Sequence, residues 1–113
     1  MRGPFPEGTL LSWKGIPVGG LIDVMPGPGI VTVVLQVLTG DRGQAALAAS
    51  LGLRDDVGEV IITLPAHAAP RLCWTFTGWV RSLGEQRVED TVDTLCINFG
   101  VVGGVVENIV EAA

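Results

Sequence analysis

The segment "TFTGWVRSLGEQRVEDTVDTLCINFG", Thr75–Gly100, decides the fold class because apolar and polar residues alternate on both sides of a polar break. Alternation with a period of two is typical of a strand with one buried face, so the runs within Leu72–Leu83 and Val92–Phe99 predict an antiparallel β-hairpin. Its turn is predicted near Gln86, in the charge-rich segment Gly84–Thr91. We interpret this segment as a hairpin tip that stays in water while the strands beside it are buried.

Outside the hairpin, the sequence predicts further short strands and a single helix. Asp41 is a suitable N-cap, an Ala/Leu run follows and Gly52 suits the end, so a helix is predicted at Arg42–Leu51. The prolines and glycines of "MPGPG", Met25–Gly29, predict a loop. Apolar runs rich in β-branched residues predict strands at Thr9–Trp13, Val18–Val24, Ile30–Leu38 and Gly58–Leu64. No linker or repeat divides the chain, so residues 1–113 are predicted to form one mainly β domain.

The composition is apolar for a small protein that acts alone, with 48% hydrophobic and 17% charged residues. A monomer of this size rarely buries so much apolar side chain, so we expect part of it to contact other subunits. The longest uncharged run, Val24–Gly40, contains Pro26 and Pro28 and is not expected to span a membrane. The first eight residues, "MRGPFPEG", lack the apolar core of a signal peptide, so synthesis in the cytoplasm is expected.

The charge balance argues against direct binding of DNA or RNA. The chain has seven basic and twelve acidic residues and a net charge of −5. Holding a phosphate backbone needs clustered cations. The basic residues are instead scattered singly, at Arg2, Lys14, Arg42, Arg54, Arg71, Arg81 and Arg87. The acidic residues include two groups without the spacing of a calcium loop, which predicts solvated carboxylates at turns: Asp55, Asp56 and Glu59, and Glu89, Asp90 and Asp93.

The sequence carries no recognisable catalytic, cofactor or metal motif. His67 is the single histidine and has no other ligand-type residue at metal-binding spacing. No nucleophile elbow or phosphate-binding loop is present. With the turn at Gln86, Cys73 and Cys96 would be offset by about four residues, roughly 13 Å, which is too far for a disulfide. We therefore expect no enzyme activity, no cofactor and no metal; the alternative is a small enzyme or ligand-binding barrel that uses Cys96, His67 and a carboxylate.

Trp79 is the most informative single residue. By alternation it points away from the face that Trp74 and Phe76 share, onto the polar side of its strand. Outward tryptophans often belong to contacts between proteins, because they bring a large area at a low entropic cost. Two interpretations stay open: Trp79 contacts another subunit, or the lone helix covers it.

Three segments, in this order, resemble the major tail tube proteins of long-tailed (siphovirus-like) bacteriophages: "GTLLSWKGIPVGGLIDV", "GLRDDVGEVIITL" and "WTFTGWVRSLGEQRVEDTVDTLCINFG". In that family an N-terminal hairpin is followed by a G-L-[KR]-D-x-G-E-V-like strand entry, which Gly52–Val60 matches with one extra residue. A later F-T-G-[FWY]-V strand, matched by Phe76–Val80, leads through an acidic turn into the last alternating strand, within Val88–Phe99. The resemblance covers about half of the chain.

The resemblance implies a tail-tube-like β-sandwich or barrel with one flanking α-helix, whose sheet edges are shared between subunits. Subunits of that family associate into rings, commonly hexameric, and the rings stack into a tube through which DNA is ejected. The implied location is the virion, and the implied partners are copies of the same chain, other tail proteins such as the tape measure and terminator, and DNA that passes without specific binding. The alternatives are a tail terminator, adaptor or baseplate ring protein of similar fold, or the inner tube of a contractile injection system.

Two sets of candidate site residues follow from this family resemblance. A lumen rich in carboxylates would repel phosphates and let DNA slide, which gives the charged hairpin tip a role. The residues expected to carry lumen or ring-junction charge are Asp55, Asp56, Glu59, Glu89, Asp90 and Asp93. The residues expected to form subunit contacts are Trp79, Met25, Pro26, Pro28, Val101 and Val102.

Overall fold

Eight β-strands and one α-helix form the part of the protein that the structure, a computed structural model, describes: residues 8–65, 71–104 and 106–109. The strands are β1 (Leu10–Trp13), β2 (Ile16–Val18), β3 (Leu21–Gly27), β4 (Ile30–Gln36), β5 (Gly58–Thr63), β6 (Leu72–Val88), β7 (Thr91–Val101) and β8 (Val106–Ile109). The helix is α1 (Arg42–Ala49). The predicted mainly β class with one helix is confirmed. No helix among the described residues is long and apolar enough to cross a membrane.

The strands belong to one antiparallel sheet built around the long strand β6. The order across the sheet is β2-β1-β5-β6-β7-β4-β3, and β8 pairs with β6 on the same edge that β7 uses further along. The first half of β6 therefore has β5 on one side and β8 on the other, whereas its second half pairs with β7. The β6–β7 hairpin is the one that the alternating segment predicts.

The sheet curves so that its two outermost strands, β2 and β3, come close together. It must do so because these strands are neighbours in sequence. Only Gly19 and Gly20 separate β2 from β3, so the facing ends of these strands lie within about 10 Å of each other. In a flat sheet of this order they would be roughly 29 Å apart. The rolling also brings the ring centroid of Trp13 on β1 within 5.6 Å of that of Phe99 on β7, although two strands lie between them.

The single sheet stays open, so the two-sheet sandwich or closed barrel that we expected is not formed. Between the two outermost strands, a helix side chain binds backbone groups of the β2–β3 link and of the end of β4. The amide of Gln44 on α1 donates to the carbonyls of Gly19 and Gln36, and it accepts a hydrogen bond from the N–H of Leu38. In addition, β2 is three residues long and contains Pro17, which cannot donate a ladder hydrogen bond.

The helix begins where the sequence predicts and lies close against β2. The side chain of Asp41 caps it by accepting the N–H of Gln44 at 2.9 Å. Gly43 permits the close approach, because a Cβ built there would come within 2.6 Å of the Val18 Cα. The helix ends at Ala49, two residues before the predicted end.

The inner face of the rolled sheet holds the hydrophobic core. Strand β4 shows the pattern: Val31, Val33 and Leu35 are buried and alternate with half-buried Thr32 and Val34. Each fully buried aliphatic side chain of this kind stabilises the fold by about 1.5–3 kcal/mol. The other buried core residues are Leu11, Trp13, Val18, Val24, Leu47, Val60, Ile62, Trp74, Phe76, Val80, Ile97 and Phe99.

The hairpin turn lies at Glu89–Asp90 and not near Gln86, as the sequence predicts. Val88 pairs with Thr91, which leaves a two-residue turn, and both turn residues have positive φ, 50° and 66°. The prediction is wrong because the last residues of β6 are mostly polar and exposed, so no change in alternation marks the end of the strand.

Two further boundaries differ from the predicted ones. β3 continues through Pro26 to Gly27, so Pro28–Gly29 alone form the turn of the predicted loop. Pro26 is tolerated because β3 is an edge strand, where a missing N–H leaves no ladder bond unmade. The link Gly19–Gly20 divides the strand predicted at Val18–Val24 into β2 and β3.

Candidate functional site

A small cavity opens beside Trp79 on the outer face of the sheet, which is the face opposite the core. Its volume is about 390 Å³. We call it the Trp79 cavity, and it is lined by Gly29, Arg54, Trp79, Arg81, Gly100 and Val101. It lies where the β3–β4 turn, the segment after α1 and the open end of the β6–β7 hairpin meet.

The indole of Trp79 lies across Gly100 of the neighbouring strand β7. The two residues pair in register, and a Cβ built on Gly100 would come within 2.9 Å of Trp79 Cε2. A side chain at position 100 would therefore displace the indole. The N–H of Val101 donates to the carbonyl of Gly29 at 2.9 Å and holds the β3–β4 turn beside this ring. The predicted placement of Trp79 on the outer face is confirmed; α1 packs on β2 and β1 and contributes no lining residue to the cavity.

Two arginines that are distant in sequence meet at this cavity. Arg81 follows Trp79 by two residues on β6, and both line the outer face. Arg54 belongs to the exposed turn after α1. The N–H of Gly52 donates to the carbonyl of Val80 at 2.8 Å, which fixes this turn against β6 and brings Arg54 to the cavity.

The Trp79 cavity presents donors and positive charge without a matching acceptor from its lining side chains. In the described part of the chain, neither Arg54 nor Arg81 forms a side-chain hydrogen bond or ion pair, and neither does the indole N–H of Trp79. Guanidinium groups suit the geometry of carboxylates and phosphates and also stack on aromatic rings. The cavity is therefore suited to an anionic group.

A group of opposite charge lies at the far end of the same hairpin. Glu89 and Asp90, which we call the acidic tip, form the two-residue turn and are exposed. Arg87 is the nearest cation in sequence, but it pairs with Glu85 at 3.3 Å and donates to the backbone carbonyl of Asp90. Within the described residues the carboxylates of the acidic tip have no ion pair, so their charge is uncompensated.

The six predicted lumen or junction carboxylates form two groups that the structure keeps apart. The group at 55–59 lies at the start of β5, where Glu59 pairs with Thr77, and the group at 89–93 lies at and beside the turn. Eleven residues of β6 separate the two positions, roughly 35 Å at the rise of a strand. Asp56 is bound to Lys14, so its charge is compensated. No cluster of three or more His, Cys, Asp or Glu side chains among the residues described could hold a metal ion.

The predicted contact residues lie mostly around one end of the sheet. Met25 and Pro26 are exposed on the edge strand β3, and Pro28 is part of the turn that reaches the Trp79 cavity. Val101 lines the cavity, and Val102 beside it is 63% exposed.

The residues of the alternative catalytic interpretation are not brought together among those described. Cys96 pairs with Gly84 on β6 and Val34 on β4, and neither neighbour is a base. Cys73 lies eleven residues from Gly84 along β6, and both cysteines are free thiols. His67 lies outside the described residues.

A second cavity, of about 400 Å³, lies on the outer face of β1, β2 and β5. Most of its lining is apolar, and its charged side chain is Asp41. That carboxylate already accepts the backbone N–H groups of Gly19 and Gln44. This cavity therefore lacks the unpaired polar groups that distinguish the Trp79 cavity.

The sequence does not predict Arg54 and Arg81 as site residues, because each is isolated among uncharged or acidic neighbours. The W-x-R spacing of Trp79 and Arg81 in an alternating strand could have placed these two side by side. No local signal places Arg54 there, since its position depends on the hydrogen bond between the distant residues Gly52 and Val80.

Comparison of the chain with protein-family models and with curated protein sequences gives no match.

Proposed function

We propose that this protein is a structural, non-enzymatic subunit that self-assembles into rings, and that these rings stack into the tail tube of a long-tailed bacteriophage. The tube would conduct DNA during ejection. The resemblance of the hairpin and its flanking segments to major tail tube proteins supports this proposal. The free edge of β3 is the observation that carries it.

β3 pairs with β4 on one side and with no strand of the described chain on the other. Ile22 and Met25 on this strand are 43% and 47% exposed. Proteins usually protect such an edge with charge or proline. Here Pro26 stands near the end of the strand, and the carboxylate of Asp23 accepts the backbone N–H of its own neighbour Val24. A bulge interrupts the strand at Ile22, so the part of the edge open to a strand from another copy lies between this bulge and Pro26.

The second half of β6 offers an edge of the complementary kind. Ser82–Val88 pairs with β7, whereas the pairing of β5 with β6 ends at Gly78. The other side of this half has no strand partner in the described residues. If β3 of one copy pairs with this half of β6 in the next copy, two different surfaces are joined. Such a heterologous contact repeats from copy to copy and closes into a ring when the rotation permits.

The charge of the protein suits a conduit for DNA. The net charge is −5, and Asp56 is the one predicted lumen or junction residue that is ion-paired within the described chain. A wall of uncompensated carboxylates repels phosphates, so DNA would slide along it instead of binding. In the virion, the tape measure and terminator proteins would be further partners of the tube.

Negative-stain electron microscopy of the purified protein at rising concentration tests the proposal. We expect rings and stacks of rings with a central channel. Isolated rings that never stack would favour a terminator, adaptor or baseplate ring protein. Particles of a single 11.8 kDa chain at every concentration would overturn the proposal.

A further inference from the structure

We infer that the Trp79 cavity binds the acidic tip of a second copy of this chain, so that each copy gives one tip and receives another. The contact depends on the self-assembly proposed above and identifies one set of residues that would hold the copies together. Three observations support this contact: the chemistry of the cavity, the unpaired carboxylates of the tip, and the distance between cavity and tip within one molecule.

The chemistry of the cavity selects a carboxylate. Its side-chain polar groups are the guanidinium groups of Arg54 and Arg81 and the indole N–H of Trp79, all of them donors. None of the three has a partner within the described residues. Gly29 adds no side chain to the cavity and has open space beside it, so a ligand can approach its backbone closely. A ligand with several acceptor oxygens and negative charge satisfies these donors, and an apolar or cationic ligand does not.

The acidic tip is a ligand of that chemistry. Glu89 and Asp90 present two carboxylates on a narrow two-residue turn, and neither carboxylate is paired within the described residues. Both residues have positive φ, in a turn where Asn-Gly would be the favoured sequence. Acidic residues thus occupy the turn in spite of the backbone cost, which is expected where a turn binds a partner.

The two surfaces cannot meet within one molecule, because the same strand joins them and keeps them apart. Trp79 and Val88 are nine residues apart on the continuous strand β6, a separation of roughly 30 Å. The tip can therefore reach only the Trp79 cavity of another copy. In the ring proposed above the contact is heterologous and passes from copy to copy, with successive copies displaced by about the length of this half-strand.

A phosphate of nucleic acid is the other anion that the cavity chemistry would accept. The protein carries twelve acidic against seven basic residues, and this excess opposes the approach of a polyanion. The same excess does not oppose a local contact that pairs two carboxylates with two guanidinium groups. We therefore assign the cavity to the tip and treat DNA binding as an outcome of the test.

Complementary charge reversal tests the contact. The cavity variant Arg54→Glu/Arg81→Glu retains an acidic tip but has an acidic cavity. The tip variant Glu89→Arg/Asp90→Arg retains a basic cavity but has a basic tip. Sedimentation velocity measures association of each variant alone and of their equimolar mixture, and circular dichroism verifies that each is folded. Arg42→Glu, which reverses an exposed arginine at the start of α1, is the control for a change in net charge.

We expect each variant alone to associate at least about 30-fold more weakly than the wild type, since like charges replace opposite ones. The mixture should recover association to within a few-fold of the wild type, because each tip then meets a cavity of opposite charge. Arg42→Glu should behave as the wild type does. Three results would overturn the contact. Either variant alone could associate as strongly as the wild type, the mixture could stay monomeric, or the wild type itself could be monomeric at every concentration.

Fluorescence anisotropy with a short labelled DNA duplex, at dilutions where the chain is monomeric, adds a second arm. We expect no binding; binding by the wild type that the cavity variant loses overturns the assignment in favour of phosphate. The outcomes also separate this contact from the proposed function. If the cavity variant forms tubes, the contact is refuted and the proposed tube function stands. If the mixture recovers association but forms no rings or tubes, the contact is supported and the proposed tube function is refuted.

Discussion

At Gly100 the absence of a side chain lets the Trp79 indole lie across β7 and form a wall of the cavity. We predict that Gly100→Ala destabilises the protein by about 1–3 kcal/mol, because the new Cβ would overlap the ring. Urea denaturation followed by circular dichroism measures the loss. The matched control is Gly84→Ala on the same hairpin, where the Cβ would meet Cys96 at an ordinary 3.8 Å and a change within about 0.5 kcal/mol is expected. Equal losses in the two variants would contradict the placement of the indole.

The ion pair between Lys14 and Asp56 makes a prediction about pH. The hydrogen bond from Lys14, followed by one from Ser50, lowers the pKa of Asp56 below its usual value. A carboxyl group with a depressed pKa adds stability above its unfolded pKa, and that stability is lost as the pH falls through the folded pKa. We predict that Asp56→Asn lowers the melting temperature at neutral pH, and that the difference from the wild type shrinks between about pH 5 and pH 2. Calorimetry that finds the same difference at both ends of this range would refute the pairing.

At the scale of elements, the turn of the β6–β7 hairpin is strained by its own sequence. Glu89 and Asp90 adopt φ of 50° and 66°, a region that costs a residue with a side chain about 1–2 kcal/mol. We predict that Glu89→Asn/Asp90→Gly raises the free energy of unfolding by about 1 kcal/mol, since Asn-Gly suits this turn, and weakens self-association. Thermal denaturation and sedimentation velocity measure the two effects. A less stable variant would contradict the turn geometry, and unchanged association would contradict the role of the tip.

The free edge of β3 gives a second prediction at this scale. Ile22→Lys/Met25→Lys places charge on two exposed positions of the edge strand, which should block pairing with another copy because the ammonium groups would have to leave water. We expect loss of rings in electron microscopy and a change in monomer stability within about 0.5 kcal/mol. Leu51→Lys is the control, since Leu51 is 43% exposed but lies outside the sheet. Rings formed by the edge variant would show that β3 is not used.

The elements that the sequence predicts correctly are those with a strong local signal. The alternation around Trp79 gives the β6–β7 hairpin and its two faces, and Asp41 with the following alanines gives the start of α1. The errors fall where local and tertiary signals disagree. The end of β6 is exposed and its residues are mostly polar, so its length is not encoded as alternation, and Pro26 is accommodated because β3 happens to be an edge. Whether a strand is an edge depends on the order of the whole sheet.

At the scale of the whole molecule, the open sheet and the Trp79 cavity depend on contacts between distant segments. Gln44 joins the link between β2 and β3 to the end of β4. The bond from Gly52 to Val80 brings Arg54 beside Trp79. Neither contact has a pattern in the sequence, because each uses a backbone carbonyl that becomes a neighbour of its donor only when the sheet rolls. The mainly β class was therefore predictable, whereas the open seam and the two-arginine cavity were not.

The claim that copies of this chain share their sheet edges is tested most directly by hydrogen–deuterium exchange of β3, Leu21–Gly27. Amides of this strand that point away from β4 have no strand partner within the described residues. The N–H of Val24 is bound by the Asp23 carboxylate, and the others exchange fast unless another copy pairs with them. We predict that concentrated wild-type protein exchanges these amides much more slowly than dilute protein, and that Ile22→Lys/Met25→Lys exchanges them fast at both concentrations. Equally fast exchange by the wild type at both concentrations would contradict the account.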